Sequence, residues 1–496
     1  MENNGVSFES LVDDVDYSLG GQSSERARAE SRALLEELDR RKGARSLAVP
    51  TDDAKVRVRL REIGQPITLF GERAPDRRDR LKHHLSQMMV ADGELAEDEE
   101  SEGSKSDEEE EFWTAGGKDL LEARRKIAEL SLPRARARLA HQRIESKLPL
   151  SRTIDTRKEV ISQLKTFSQL GSQIGDERCI SQARFSPDGK TLATGSWSGH
   201  IKLWDIPNCS QKTHFQGHTD RVGGIAWHPK ATVSLSPETV NLASGGGDKS
   251  VLLWSLTLDK PLSKLRGHED RVVRMAFHPS GLFIASASFD GTWRLWDICR
   301  EYPVEILRQE GHSKEVYAVQ FQDDGALAAS GGLDGIGRVW DLRTGRTAMV
   351  LDGHAQGIFG IDFSPNGFQI ATGSGDDTIR IWDMRSLKAL HTVPAHKSTV
   401  SDVRFYRQLV NPYYNILDPI RVQHLQGNPY ELITNGIYLV SSGYDGLVKI
   451  WSADDWQLVK AIPTDAGKVM SVDISLGGEY IASGSWNRSF QLFAQE

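Results

Sequence analysis

The chain has 496 residues, enough for two or more folded units or for one large unit with extended arms. Its hydrophobic fraction of 38% and charged fraction of 26% suit a soluble chain with some polar, unfolded sequence, and no run approaches the roughly 18 apolar residues that span a bilayer. The net charge of −8 conceals opposed blocks, and the three cysteines, Cys179, Cys209 and Cys299, offer neither metal-ligand spacing nor a disulfide framework, which points to a reducing compartment.

Residues 1–50 read as an arm that opens on acidic, polar sequence without the apolar core of a signal peptide. Within it, 23–42 predicts a helix with serine at the cap and basic residues at the end. Residues 51–90 follow as a basic, Pro- and Gly-punctuated segment. "VRVRLR" alternates like a strand, yet Val56, Leu60 and Ile63 also share a helical stripe, and Gly64 with Pro66 is a stop signal, so a short helix is favoured. "APDRRDRLKHHLSQMM" predicts a second helix with Leu81, Leu85 and Met88 on one side and Arg77, Arg78, Arg80 and Lys82 mostly on the others. Two short helices make too small a core to stand alone, so this segment is expected to order on a partner. Ile67, Leu69 and Phe70 would be the apolar anchors, with Arg77 and Arg78 around them for RNA or protein.

Residues 91–111 hold twelve Asp or Glu between Asp92 and Glu111 against one Lys, and read as a disordered linker in which Ser101, Ser104 and Ser106 suit an acid-directed kinase. Residues 112–160 read as a helical partner-binding segment. Phe112 and Trp113 are its aromatic pair, Leu121, Ala128 and Leu132 its docking positions, and Arg134, Arg136 and Arg138 a basic continuation for RNA or acidic protein.

From 161 to 496 one unit recurs. Trp204, Trp254, Trp296, Trp340, Trp382, Trp451 and Phe493 close successive copies at spacings of 50, 42, 44, 42, 69 and 42 residues. Gly-His pairs stand upstream at His218, His268, His312 and His354, with a weaker Ala-His at His396. This pattern is identified as the WD40 repeat, one four-stranded blade per copy, so the fold class is an all-β seven-bladed propeller behind a mainly α-helical, partly disordered N-terminal region. His268, Ser286, Asp290 and Trp296 form a set that returns in other copies. A catalytic set is needed once and a stapling set once per blade, so the reading is structural and not enzymatic. The final copy has only three strands, and "ISQLKTFSQL" at 161–170 is expected to close the ring as its fourth. Blade six carries an insertion at 407–436, on the same face as a shorter one in blade two at 228–244.

Propellers usually bind partners across the face whose loops precede the first strand and join the second to the third. The residue before each turn aspartate points there. Trp197, Tyr444 and Trp486 are expected to form an aromatic arc, with Phe289 at the equivalent place in blade three and Arg221 and Arg271 at the rim.

"LREIGQPITLFGERAPDRRDRLKHHL" resembles the splicing-factor motif, and its combination with a seven-bladed propeller is similar to the family of WD-repeat proteins of the U4/U6 small nuclear ribonucleoprotein. "SLPRARARL", "SQIGDERCIS", "HPKATVSLSPETVNLAS" and "GGLDGIGRVWDLRTGR" extend the likeness, whereas 407–436 departs from it. The resemblance implies a non-catalytic scaffold subunit of the U4/U6 particle and the tri-snRNP, acting in pre-mRNA splicing in the nucleus, in speckles or Cajal bodies. The implied partners are the U4/U6 protein that grips the RNA duplex, a small cyclophilin bound around Phe112 and Trp113, and U4/U6 snRNA reached directly or through those proteins. No cofactor, small-molecule substrate or membrane is implied. Two other readings stand beside it. Arg343 and Arg385 complete WDxR boxes of the kind found in substrate receptors of cullin-type ubiquitin ligases, and a generic propeller scaffold would leave the N-terminal motif without a use.

Overall fold

The computed structural model describes residues 53–67, 77, 80, 81, 84, 117–300, 302–408 and 435–495. The predicted helix at 23–42, the acidic run with its three serines, Leu69, Phe70, Arg78, Phe112, Trp113 and most of the blade-six insertion lie outside them.

In the first unit, Asp53–Glu62 form helix α1. Val56 and Leu60, four residues apart and therefore on one face, are buried with Leu81 of a second helical stretch, and Ile63 packs alongside. Gly64 takes a left-handed φ of +75° and ends the helix, and Arg80 Nη1 holds the following chain by donating to Pro66 O at 2.8 Å. Arg77 departs from the expectation that the arginines avoid the apolar side. It lies four residues before Leu81, hence on the same face, and is buried. Each of the three aliphatics contributes about 1.5–3 kcal/mol, little against the entropy of ordering the segment.

Among the described residues of the second unit, 28 strands form seven four-stranded antiparallel sheets. Blade one is β2 (Ile180–Phe185), β3 (Thr191–Ser196), β4 (His200–Asp205) and β5 (Ser210–Gln216). Blade two is β6 (Val222–Trp227), β7 (Leu242–Gly246), β8 (Ser250–Trp254) and β9 (Ser263–Arg266), and blade three β10 (Val272–Phe277) to β13 (Val304–Gln309). Blade four runs from β14 (Val316–Phe321) and β15 (Leu327–Gly332) to β17 (Thr347–Leu351), and blade five from β18 (Ile358–Phe363) and β19 (Gln369–Ser374) to β21 (Lys388–Pro394). Blade six is β22 (Val400–Phe405), β23 (Tyr438–Gly443), β24 (Leu447–Ser452) and β25 (Leu458–Pro463), and blade seven begins with β26 (Val469–Ile474) and β27 (Tyr480–Ser485). The first strand of every blade faces the central channel and carries a bulge after its first residue, as at Val272/Arg274, while buried aliphatics and tryptophans fill the space between blades.

Blade seven is completed from upstream. β1 (Ser168–Ile174) pairs antiparallel with β28 (Ser489–Ala494), so both ends of the propeller meet in one sheet. The closing strand is therefore later than expected from 161–170. Residues up to Leu164 continue helix α3 (Leu150–Leu164), where Val160 and Leu164, one turn apart, pack on the blade-six and blade-seven core with Phe167. A strand cannot begin until that helical stripe has been buried.

Helix α2 (Lys118–Glu145) is docked on the propeller. Leu120, Ala123 and Ile127 join the blade-three and blade-four core with Trp293, Leu307 and Trp340, and Ser131 is buried one turn further on. Arg134, Arg138 and Gln142 continue this face and donate to Asp323 O, to Asp324 and Asn366 O, and to Asn366 O. One stripe at three- and four-residue steps thus starts apolar and ends polar.

Candidate functional site

The recurring histidine sets are staples. His268 Nδ1 donates to Asp290 at 2.7 Å, its Nε2 accepts from Ser286 Oγ at 2.7 Å, and Trp296 Nε1 donates to the same hydroxyl at 2.8 Å. The chain of donors fixes the histidine tautomer and ties a loop, a strand, a turn and an outer tryptophan together. His218, His312 and His354 anchor equivalent sets. His396 anchors a fifth, with Ser441 at 2.8 Å, Asp445 at 2.9 Å and Trp451 behind, its histidine and serine separated in sequence by the blade-six insertion. In blade one Asp176 takes the histidine's place, bonded by Ser198 and 3.2 Å from Lys202. Burial pushes the carboxyl of Asp290 up, but the hydrogen bonds from His268 and Thr292 outweigh it and hold it below the usual carboxylate range. Among the described residues no group of His, Cys, Asp and Glu could hold a metal ion.

The loops before each first strand and between the second and third strands share one face. There the residue before the turn position is fixed by its own N–H, which donates to the carbonyl at the start of the inner strand. Trp197 donates to Cys179 O, Phe289 to Arg271 O, Tyr444 to Thr399 O and Trp486 to Lys468 O. Trp197 and Trp486 meet edge to face with centroids 5.0 Å apart, and Trp486 is 49% exposed. Tyr444 makes no ring contact with either. It lies half-buried beneath Lys468, whose Nζ is 5.4 Å from the ring centroid, and burial pushes its phenol up to about 12. The expected arc of three is thus a pair. Arg221 stacks over Trp197 at 5.1 Å and Arg271 over Phe289 at 4.1 Å. Tyr317 and Phe359, which sequence reasoning missed, continue the aromatic run from Phe289 at centroid distances of 6.3 and 4.9 Å. Both are the second residue of an inner strand, at the bulge, so the aromatic type at that repeat position was the available signal.

The opposite face carries the turns between first and second strands, the blade-two insertion and helix α2. Arg184 pairs with Asp402 at 2.8 Å, and Arg407 with Asp362 at 2.8 Å and Asp323 at 3.1 Å, tying blades one, four, five and six across the channel. An open cavity of about 530 Å³ lies at this mouth, lined by Arg134, Arg184, Lys230, Arg404 and Arg407 among others. Three of its arginines, Arg184, Arg404 and Arg407, are matched by Asp402, Asp362 and Asp323. In the basic continuation of α2, Arg134 and Arg138 bond to the propeller and Arg136 is exposed.

Leu121 and Leu132 are 52% and 56% exposed, opposite the docked stripe of α2. Arg343 donates to Asp341 and Arg385 to Asp383, and Arg385 also stacks on Phe368 at 3.7 Å, so both WDxR arginines are engaged by their own turns. Ile67 is half-buried and its carbonyl accepts from Arg80.

Residues 56–83 match the family model described as pre-mRNA processing factor 4 (PRP4) like. Seven windows from 165–205 to 456–493 match the WD domain, G-beta repeat. The chain is 36% identical over 456 residues to the U4/U6 small nuclear ribonucleoprotein PRP4 of Saccharomyces cerevisiae, covering 90% of each. It is 44% identical over 206 residues to the U4/U6 small nuclear ribonucleoprotein Prp4 of Mus musculus, covering 41% of this chain and 39% of the relative. With the U4/U6 small nuclear ribonucleoprotein PRP4-like protein of Arabidopsis thaliana the identity is 37% over 240 residues, 46% of this chain and 43% of the relative. The chain thus spans about two fifths of the length of the mouse and plant relatives in these matches.

Proposed function

The chain belongs to the pre-mRNA processing factor 4 family of WD-repeat proteins, and from that membership we propose that it is a non-catalytic scaffold subunit of the U4/U6 snRNP and the tri-snRNP, acting in nuclear pre-mRNA splicing. The observation that carries the reading is the 36% identity over 456 residues, a span long enough to take in the short motif and most of the propeller. A propeller alone hosts many unrelated functions. The motif in front of it is what supports this one.

In this reading the N-terminal helices and the propeller hold different partners. The small core of Val56, Leu60 and Leu81 suits a segment that completes itself on another protein, with Ile67, Leu69, Phe70, Arg77 and Arg78 at the contact. The duplex-gripping U4/U6 protein is the proposed partner. Phe112, Trp113 and the outer side of α2 at Leu121 are proposed to receive the small cyclophilin. The aromatic loop face, with Trp197, Phe289, Tyr444, Trp486, Arg221 and Arg271, is proposed as a further protein interface. Five histidine sets of one geometry leave the repeated Ser and Asp to stapling rather than chemistry.

The test is affinity purification of the tagged full chain from nuclear extract, with sequencing of the bound RNA. Recovery of U4 and U6 RNA is expected at mild salt, and its absence would refute the reading.

A further inference from the structure

We propose that the loop face is a receptor for a carboxylate-bearing protein segment, gripped by Arg221 and Arg271. The proposal rests on the reading of that face as a protein interface and names what it holds. The two arginines occupy equivalent positions in successive blades, three residues after His218 and His268. Each guanidinium is stacked on an aromatic ring, and among the described residues neither has a hydrogen-bond or ion-pair partner. Several other arginines of the propeller, buried or exposed, are occupied. Arg274 donates to Ser181 O and Met470 O, Arg294 to Glu305, Arg343 to Asp341, and Arg385, also stacked, to Asp383.

Stacking holds a guanidinium plane in place while leaving its edge of N–H donors open. That is the arrangement that meets a carboxylate with two parallel hydrogen bonds, and it costs little further side-chain entropy. Beside the two arginines a cavity of about 170 Å³ is walled by Trp197, Phe289, Tyr317, Val272, Val273 and Met470, an apolar floor for an anchor between the charges. The rim decides between a protein and a nucleic acid. Asp220, Glu269, Asp270 and Glu315 stand in the loops of blades two to four, and Lys314, Lys397 and Lys468 in those of blades four, six and seven. A continuous polyphosphate backbone would meet repulsion at every acidic residue, whereas a segment whose few acidic side chains sit on the two guanidinium edges would meet less of it.

The test uses the full-length chain and an array of fluorescein-labelled peptides carrying two Glu at varied spacings around a Phe or Leu, read by fluorescence polarisation. At least one peptide is expected to bind, its Gln counterpart not to bind, and single-stranded oligouridylate not to compete. Arg221→Ala and Arg271→Ala should each weaken binding about tenfold or more, Arg221→Lys should weaken it too because an ammonium lacks the fork, and Arg385→Ala should not. Equal binding of the Gln peptide, undiminished binding by the arginine variants, competition by oligouridylate, or no binding by any peptide would each overturn the proposal. Recovery of partners from nuclear extract separates the two levels. If Trp197→Ala and Trp486→Ala lose a partner that the arginine variants keep, the face is an interface but not a carboxylate receptor. If no variant changes recovery, the interface reading itself falls.

Discussion

Arg138 Nε and Nη2 both lie 2.8 Å from Asp324 Oδ2, joining helix α2 to the turn between β14 and β15. The same arginine reaches Asn366 O of blade five at 3.2 Å, so one side chain clasps the helix to two blades. Asp324 is buried and its second oxygen has no partner. The basic run that reads from sequence as a contact for RNA or acidic protein is, at Arg134 and Arg138, a clasp.

Removing that clasp should leave a buried carboxylate uncompensated. Arg138→Ala is expected to destabilise the docked helix by about 3–5 kcal/mol. Hydrogen exchange of 118–145 should accelerate while the inner strands stay protected. Asp324→Asn, which removes the charge and keeps the shape, should cost less. Unchanged exchange in Arg138→Ala would show that the apolar half of the stripe suffices.

Acid should weaken the propeller in two stages. His278 sits between Phe283 and Phe321, donates from Nε2 to Gly325 O at 2.9 Å, and is held by burial at about 4, with the nearby Arg134 charge adding to the effect against the Gly325 hydrogen bond. Its folded pKa lies below the unfolded value near 6.5, so its contribution is complete above about pH 6.5. It is lost between there and about 4 as the unfolded chain takes up the proton first. Asp248, Asp334, Asp376 and Asp445, like Asp290, feel burial pushing upward, reversed by their histidine partners, and end below the usual range. Their contribution is present above about pH 4 and lost below it. His278→Gln should show a shallower fall in urea midpoint between pH 7 and 4.5, and an unaltered fall would contradict the assignment.

The seven blades and four of the five staples were legible because repetition itself is information: the same side chain at the same step needs the same cause. The fifth staple was hidden by the residues inserted between His396 and Ser441. The boundary between α3 and β1 was missed although a signal was present: Val160, Leu164 and Phe167 stand at steps of four and three, a helical stripe that runs into the stretch expected to be a strand. The docked side of α2 was not legible. Leu120, Ala123 and Ile127 and the outward Leu121, Ala128 and Leu132 are both helical stripes, and only the propeller surface chooses between them. On the loop face, Tyr444 and Trp486 occupy the same repeat position, and neighbouring loops decide which of them meets Trp197.

Ring closure through β1 gives a second stability test. Deleting 168–174 would expose the edge of β28 and remove the strand that joins both ends of the propeller. The deletion is expected to lower the unfolding midpoint of the whole propeller and to broaden the transition, and a chain that keeps the native cooperative transition would rule out closure as a stabilising element. Differential scanning calorimetry reads both quantities.

The two stripes of α2 separate stability from binding. Ile127 is buried against the blade-three and blade-four core, so Ile127→Ala should cost about 2–5 kcal/mol and release the helix from the rim. Leu121, Leu132 and Leu139 face outward at 52%, 56% and 50% exposure, and replacing any of them by Asp removes no packing of this chain. Those variants are expected to melt with the unaltered protein, because surface substitutions away from packed features usually shift stability by under about 0.5 kcal/mol. If the outer side of the helix receives a partner, they should nevertheless lose it in a pull-down from nuclear extract, since an aspartate at the centre of an apolar contact is desolvated without a counter-charge. Retention of every partner by Leu121→Asp and Leu132→Asp together would reduce α2 to a strap on the propeller. Loss of a partner by Ile127→Ala as well would then be read as undocking and not as a lost contact, because only that variant changes the melting profile.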